Sequence, residues 1–395
     1  MLNKIFYKIF NILVISVFCQ QNTFAVPYIP INPNQVLEKL PTSINIAPYA
    51  FNNLRTLLSA NPNDLTLATK LAKLYIERSR EEGDPRYLGY AQATLLPWWK
   101  LANPPIEILV LRATLLQSTH HFDQSLVDLD TVLKLDHANG QAWITRATIL
   151  QVQGKYAEAL KSCEQLDTLA PALIMLTCTS NVRSLSGQAV QSYKELKTAY
   201  AQNVDNNPDI QVWVLTLLAE MASRIGDDVA AENYFVTAIN IENPDSYLLG
   251  AYADFLLDKK RPQEVITLLK TKTRVDPLLL RYAEALSLAH SHEAATQIQV
   301  LKQTFAAAVL RGDTVHQREQ SRFELRLMNN SKYALVLAKL NWKIQKEPAD
   351  ARVYLEAAIA TGNQIEVATI TNWIKANKQE DVLLKKMVAT QKYIS

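Results

Sequence analysis

Leu111-Arg112-Ala113-Thr114-Leu115-Leu116-Gln117 is matched, 34 residues later, by Thr145-Arg146-Ala147-Thr148-Ile149-Leu150-Gln151, with five of seven positions identical. The correspondence continues through Phe122 and Tyr156, Leu126 and Leu160, and Leu135 and Leu169. A fixed period of this length, with apolar residues three and four apart, marks a helix–turn–helix repeat. Segment 140–173 shows the unit best. Trp143, Ala147 and Leu150 share one helix face, and Gly154 breaks that helix. Tyr156, Ala159, Cys163 and Leu166 form the inner stripe of the next helix. Pro171 closes the unit, because proline cannot continue a helix. Ala147 and Ala159 fall where two helices cross, a place that admits only a small side chain.

Trp143, Ala147, Leu150, Gly154, Tyr156, Ala159 and Pro171 stand at the signature places of the tetratricopeptide repeat, which the chain resembles. It departs at Arg146, where that family has leucine, and at Cys163, where it has an aromatic. Units 106–139, 212–245 and 246–279 are further clear copies, the last closing at Asp276-Pro277. Segments 64–103, 173–211, 280–312, 317–348 and 351–377 read as degenerate copies, and 379–390 as a capping helix, which a solenoid needs over its last apolar face. The resemblance implies an all-α, right-handed α-solenoid over 47–395 whose first helices line a concave groove. Its groove-facing places are the second, fifth, ninth, twelfth and thirteenth of each unit. They carry over to Thr114 and Gln117, Thr148 and Gln151, Trp213, Glu220 and Arg224, and Tyr247 and Asp254. The Thr114/Thr148 and Gln117/Gln151 pairs form a polar ladder suited to the backbone of an extended peptide. Aromatics among mixed charges suit interface anchors. The expected partner is therefore a protein or peptide.

Outside the repeats, residues 1–25 read as an export signal. Lys4 and Lys8 supply the basic start, and an apolar run from Ile9 to Phe18, interrupted at Asn11, follows. Thr23-Phe24-Ala25 offers small residues at −3 and −1, so cleavage is expected near Ala25 and the mature chain in a periplasm or outside the cell. The run is too short for a membrane span. Pro27, Pro30, Pro33 and Pro41 make 26–46 an extended arm or linker. Net charge is +3, and losing Lys4 and Lys8 leaves about +1, which gives no electrostatic case for nucleic acid. No later stretch is apolar enough to span a membrane.

Chemistry-bearing motifs are missing from the sequence. No GxGxxG, GxxxxGK[ST], CxxC or HExxH occurs, so no catalytic residue, cofactor or metal ligand is assigned. The six histidines include the turn pairs His120-His121 and His290/His292, read as solvated and not as a metal site. Cys163 and Cys178 are the cysteines left after export. They lie on adjacent antiparallel helices and either form a disulfide or are two buried thiols. Trp98-Trp99 reads as a helix-end packing cluster, or else as an exposed aromatic binding patch. Arg112 and Arg146, one repeat apart, need an acidic partner such as Asp128 or Asp130, or else grip an acidic ligand. The reading is an exported scaffold and not an enzyme, with a small-ligand or metal-binding accessory of an envelope transport system as the alternative.

Overall fold

The structure, a computed structural model, describes residues 47–202, 207–241 and 244–391. The export segment and the proline-rich arm lie outside the described residues. The chain divides at residue 50, and the part from Phe51 onward is one compact unit. Among the described residues there is no strand.

Among the described residues, a helix at Ala47–Ala60 leads into nine antiparallel helix hairpins. They are Leu65–Glu82 with Arg86–Thr94, Ile106–Ser118 with Phe122–Leu135, and Gly140–Val152 with Tyr156–Glu164. The fourth to sixth are Ala172–Ser184 with Ala189–Gln202, Pro208–Ile225 with Asp228–Ile239, and Ser246–Asp258 with Pro262–Leu269. The last three are Asp276–Leu288 with Ala294–Leu310, Gln317–Arg326 with Ser331–Trp342, and Pro348–Ala360 with Gln364–Ala376. Val382–Gln391 follows them. Each hairpin packs on the next, so the fold is an all-α solenoid.

Short polar side chains and prolines set where the helices start. Asp64, Asn139 and Asp227 each accept a backbone N–H of the first turn, at Leu67, Ala142 and Ala230. Several prolines open helices instead of closing units. Pro208 starts its helix four residues ahead of the expected boundary at 212. Asp276-Pro277 begins the seventh hairpin, and Pro348 the ninth behind a capping box of Glu347 and Asp350. Proline suits the first turn because its fixed φ is helical and its missing N–H has no intrahelical acceptor there.

Alanines hold the crossings. Ala147, Ala159, Ala219, Ala231, Ala253 and Ala283 are all essentially unexposed. The largest core runs from Leu173 to Phe323, through the fourth to eighth hairpins. Trp98 and Trp99 pack against the core of the first hairpin. Cys163 and Cys178, both buried, are joined as a disulfide between the third and fourth hairpins, with Cα atoms 5.5 Å apart.

The solenoid coils back on itself. The hairpin turns of the first five units press on the second coil, about six units further along the chain. Val152 O accepts from Lys346 N at 2.7 Å. Gln379 Nε2 donates to Tyr156 Oη at 3.1 Å and Leu185 O at 2.6 Å. Glu380 Oε2 accepts from Ala189 N at 2.5 Å. Gln345 Nε2 lies 3.1 Å from His120 Nδ1. Two turn glycines permit this approach. A Cβ on Gly83 would meet Val275 at 2.7 Å, and one on Gly187 would meet Lys378 at 2.8 Å. Both also have positive φ.

Candidate functional site

The coiling encloses a lumen lined by the first helices of successive hairpins. Its central cavity has a volume of 410 Å³. Gln151 comes from the third hairpin, Glu220 and Arg224 from the fifth, and Tyr247 and Asp254 from the sixth; all five line this cavity. These are five of the nine residues assigned to the groove by spacing. The remaining four lie elsewhere. Thr114 Oγ1 donates to Val110 O and Thr148 Oγ1 to Ile144 O, each at 3.0 Å, so both hydroxyl protons are committed within their own helices. The expected ladder of threonine donors is therefore not offered to a ligand. Gln117 is half-buried outside the lining. Trp213 is half-buried at the junction of two core clusters.

One wall of the lumen is an ion-pair lattice. Arg318, Arg322 and Arg326 recur every four residues on one helix and so project to one side. Arg322 holds Asp254 and Glu284, each at 2.6 Å. Arg326 bridges Glu284 and Glu356. Arg318 meets Glu319 at 3.1 Å and Glu347 at 3.0 Å. Arg281 closes on Asp254 at 2.5 Å, and Arg352 on Asp258 at 2.6 Å. Burial alone raises a carboxylate pKa, but Arg281 and Arg322 together draw the Asp254 carboxyl well below its usual range. Arg318 likewise brings Glu319 down to about 2 against its burial. None of Arg281, Arg318, Arg322, Arg326 or Arg352 was assigned from the repeat spacing. The four-residue arginine period in Gln317–Arg326 was the signal that marks this face.

Glu220, Tyr247 and Arg224, on the same lining, are held by hydrogen bonds instead. Tyr247 Oη donates to Glu220 Oε1 at 2.8 Å, and burial pushes the Glu220 carboxyl up. Tyr247 is 57% exposed, and that exposure is to the lumen it lines. Arg224 is 8% exposed and donates from Nη1 to Ser184 Oγ at 2.7 Å. Asp381 caps the last helix by accepting from Leu383 N and Leu384 N.

Arg112 and Arg146 serve the packing. Arg112 forks onto Asp128 with two 2.7 Å hydrogen bonds and lies over the Trp99 ring. Arg146 reaches Asp130 at 3.0 Å and Ser162 Oγ at 2.8 Å. Among the described residues no group of three or more His, Cys, Asp or Glu side chains is placed to hold a metal ion. No described helix is long and apolar enough to cross a membrane.

No protein-family model matches the chain, and no curated protein matches it. Solved structures do. A tetratricopeptide repeat protein from Parabacteroides merdae is 12% identical with a TM-score of 0.39, over 64% of this chain and 98% of that one. Yeast Tom70 is 16% identical with a TM-score of 0.33, over 83% of this chain and 62% of that one. The P58(IPK) TPR domain is 13% identical with a TM-score of 0.21, over 88% of this chain and 97% of that one. By its own 34-residue repeat and its stacked antiparallel hairpins, the described chain is an all-α helical-repeat solenoid.

Proposed function

We propose that this chain is an exported protein-interaction scaffold whose lumen receives a short segment of a protein partner. The observation that carries this reading is the convergence of Gln151, Glu220, Arg224, Tyr247 and Asp254 on one cavity. Tyr247 supplies a lumen-facing aromatic, and Glu220 and Arg224 supply opposite charges one helical turn apart. The Cys163–Cys178 disulfide supports an oxidising compartment, which agrees with the basic, apolar and Thr23-Phe24-Ala25 segments at the start of the chain. The lumen carries no nucleophile–base arrangement, and most of its acids are engaged by arginines, which favours binding over catalysis. The test is affinity capture from the envelope fraction of the native host. Glu220→Ala combined with Tyr247→Ala should lose the partner, and Thr114→Ala should keep it. Equal recovery with both variants removes the lumen from the reading.

The cavity size favours a second reading. A volume of 410 Å³ is near the lower end of small-molecule sites, so a small-ligand accessory function fits the same lumen. Calorimetric titration with a partner-derived peptide separates the two.

A further inference from the structure

We propose that the Cys163–Cys178 disulfide is a redox gate on the coil: it sets the spacing of two acceptors that Gln379 clasps across the seam, and a dithiol reductant releases that clasp. The inference rests on the closed coil and not on what the lumen receives. Gln379, 3% exposed, gives both protons of its Nε2 amide to the first coil, one to Tyr156 Oη and one to Leu185 O. Its Oε1 has no hydrogen-bond partner among the described residues, so the grip of this side chain runs through Nε2 alone. One NH2 group reaches two acceptors only while they stand a fixed distance apart, because hydrogen bonds weaken steeply as length and angle leave the optimum.

The two acceptors belong to different hairpins, and the disulfide joins those hairpins at matching places. Tyr156 opens helix Tyr156–Glu164 of the third hairpin, seven residues before Cys163. Leu185 closes helix Ala172–Ser184 of the fourth, seven residues after Cys178. Seven residues are about two helical turns, so each acceptor lies on the cysteine-bearing face of its helix, at the seam end. Tyr156, Cys163, Cys178 and Leu185 share one core cluster. Cutting the bond lets the two helices slide while that apolar contact persists, and the spacing of the acceptors is no longer fixed. The lumen meets the change on two sides. Leu185 lines it, and so do Asp381, Leu383 and Leu384, which follow Gln379 in the chain.

In the chemical step a thiolate of the dithiol attacks the Cys178 sulfur, and Cys163 leaves as a thiolate that takes up a proton. The second thiol of the reductant then attacks the reductant's own sulfur in the mixed disulfide. The reductant departs as a disulfide, and Cys178 is freed as a thiol.

The test is hydrogen exchange on the full chain at the Ala189 amide, which donates across the seam to Glu380 Oε2, next to the clasp. Dithiothreitol should quicken that exchange by about tenfold, with helix content by circular dichroism unchanged. Gln379→Leu with the disulfide intact should quicken it as much, and dithiothreitol should then add nothing. Cys163→Ser combined with Cys178→Ser should match the reduced parent and ignore dithiothreitol. Unchanged exchange in the reduced parent, or in Gln379→Leu, overturns the proposal. So does a further quickening by dithiothreitol in Gln379→Leu, because bond and clasp then act independently. Loss of helix content on reduction also overturns it, since the bond is then a staple of the whole fold and not a gate.

Discussion

Arg112 stands where the repeat has leucine, and its partner was legible because Asp128 faces it from the second helix of the same hairpin. Asp128 is 5% exposed, so Arg112→Leu should strand a buried carboxylate and cost about 3 kcal/mol in urea denaturation. Adding Asp128→Leu should recover most of that loss; failure to recover it would show that the pair itself stabilises. His120 gives a pH prediction. Burial, with Arg318 nearby, lowers its imidazole from 6.5 to about 4, and Gln345 donates to its Nδ1. A histidine depressed in the fold contributes stability above its unfolded pKa and loses it as pH falls through its folded pKa. Stability should therefore decline from about pH 6.5 to about pH 4, and His120→Gln should flatten that decline in thermal melts. The threonine ladder was misread for a local reason. Spacing places Thr114 and Thr148 on the right face but does not reveal that each hydroxyl bonds the carbonyl one turn back.

At the scale of the element, hairpin existence was readable from period and small residues, and hairpin boundaries were blurred by proline. A proline both ends one helix and suits the first turn of another, so Pro208, Pro277 and Pro348 carry two meanings in sequence and one in the structure. The cysteine pair was left open for a similar reason. A spacing of fifteen residues places Cys163 and Cys178 on adjacent helices, but whether their sulfurs meet depends on how the third and fourth hairpins pack. With the bond joining those hairpins, reduction should lower unfolding stability by about 3 kcal/mol, the value expected for a loop of this size. Denaturation with and without reductant, on chain whose intact mass shows the bond, measures it. Unchanged stability would mean that the hairpin interface needs no cross-link.

At the scale of the molecule, the decisive feature was not legible. Closure of the coil depends on small rotations accumulated over about six hairpins, and no local motif records their sum. The sequence does hold consequences of it. Gly83 and Gly187 sit at turns pressed by the second coil, whereas Gly312 and Gly362, also at turns, have nothing within 4 Å of an added Cβ. The arginine series 318, 322 and 326 faces a lumen that exists only because the coil closes. An open groove would have exposed all nine spacing-assigned residues alike; the closed coil gathers five of them.

Amine-specific cross-linking with mass spectrometry on monomeric protein tests this closure most directly. Lys155, at the third hairpin turn, lies beside Lys346 and shares a surface depression with Lys378. Closure of the coil predicts intramolecular links from Lys155 to both Lys346 and Lys378, weakened when Gly187→Leu wedges the seam. Links confined to neighbouring hairpins, with neither long-range pair recovered, would contradict it.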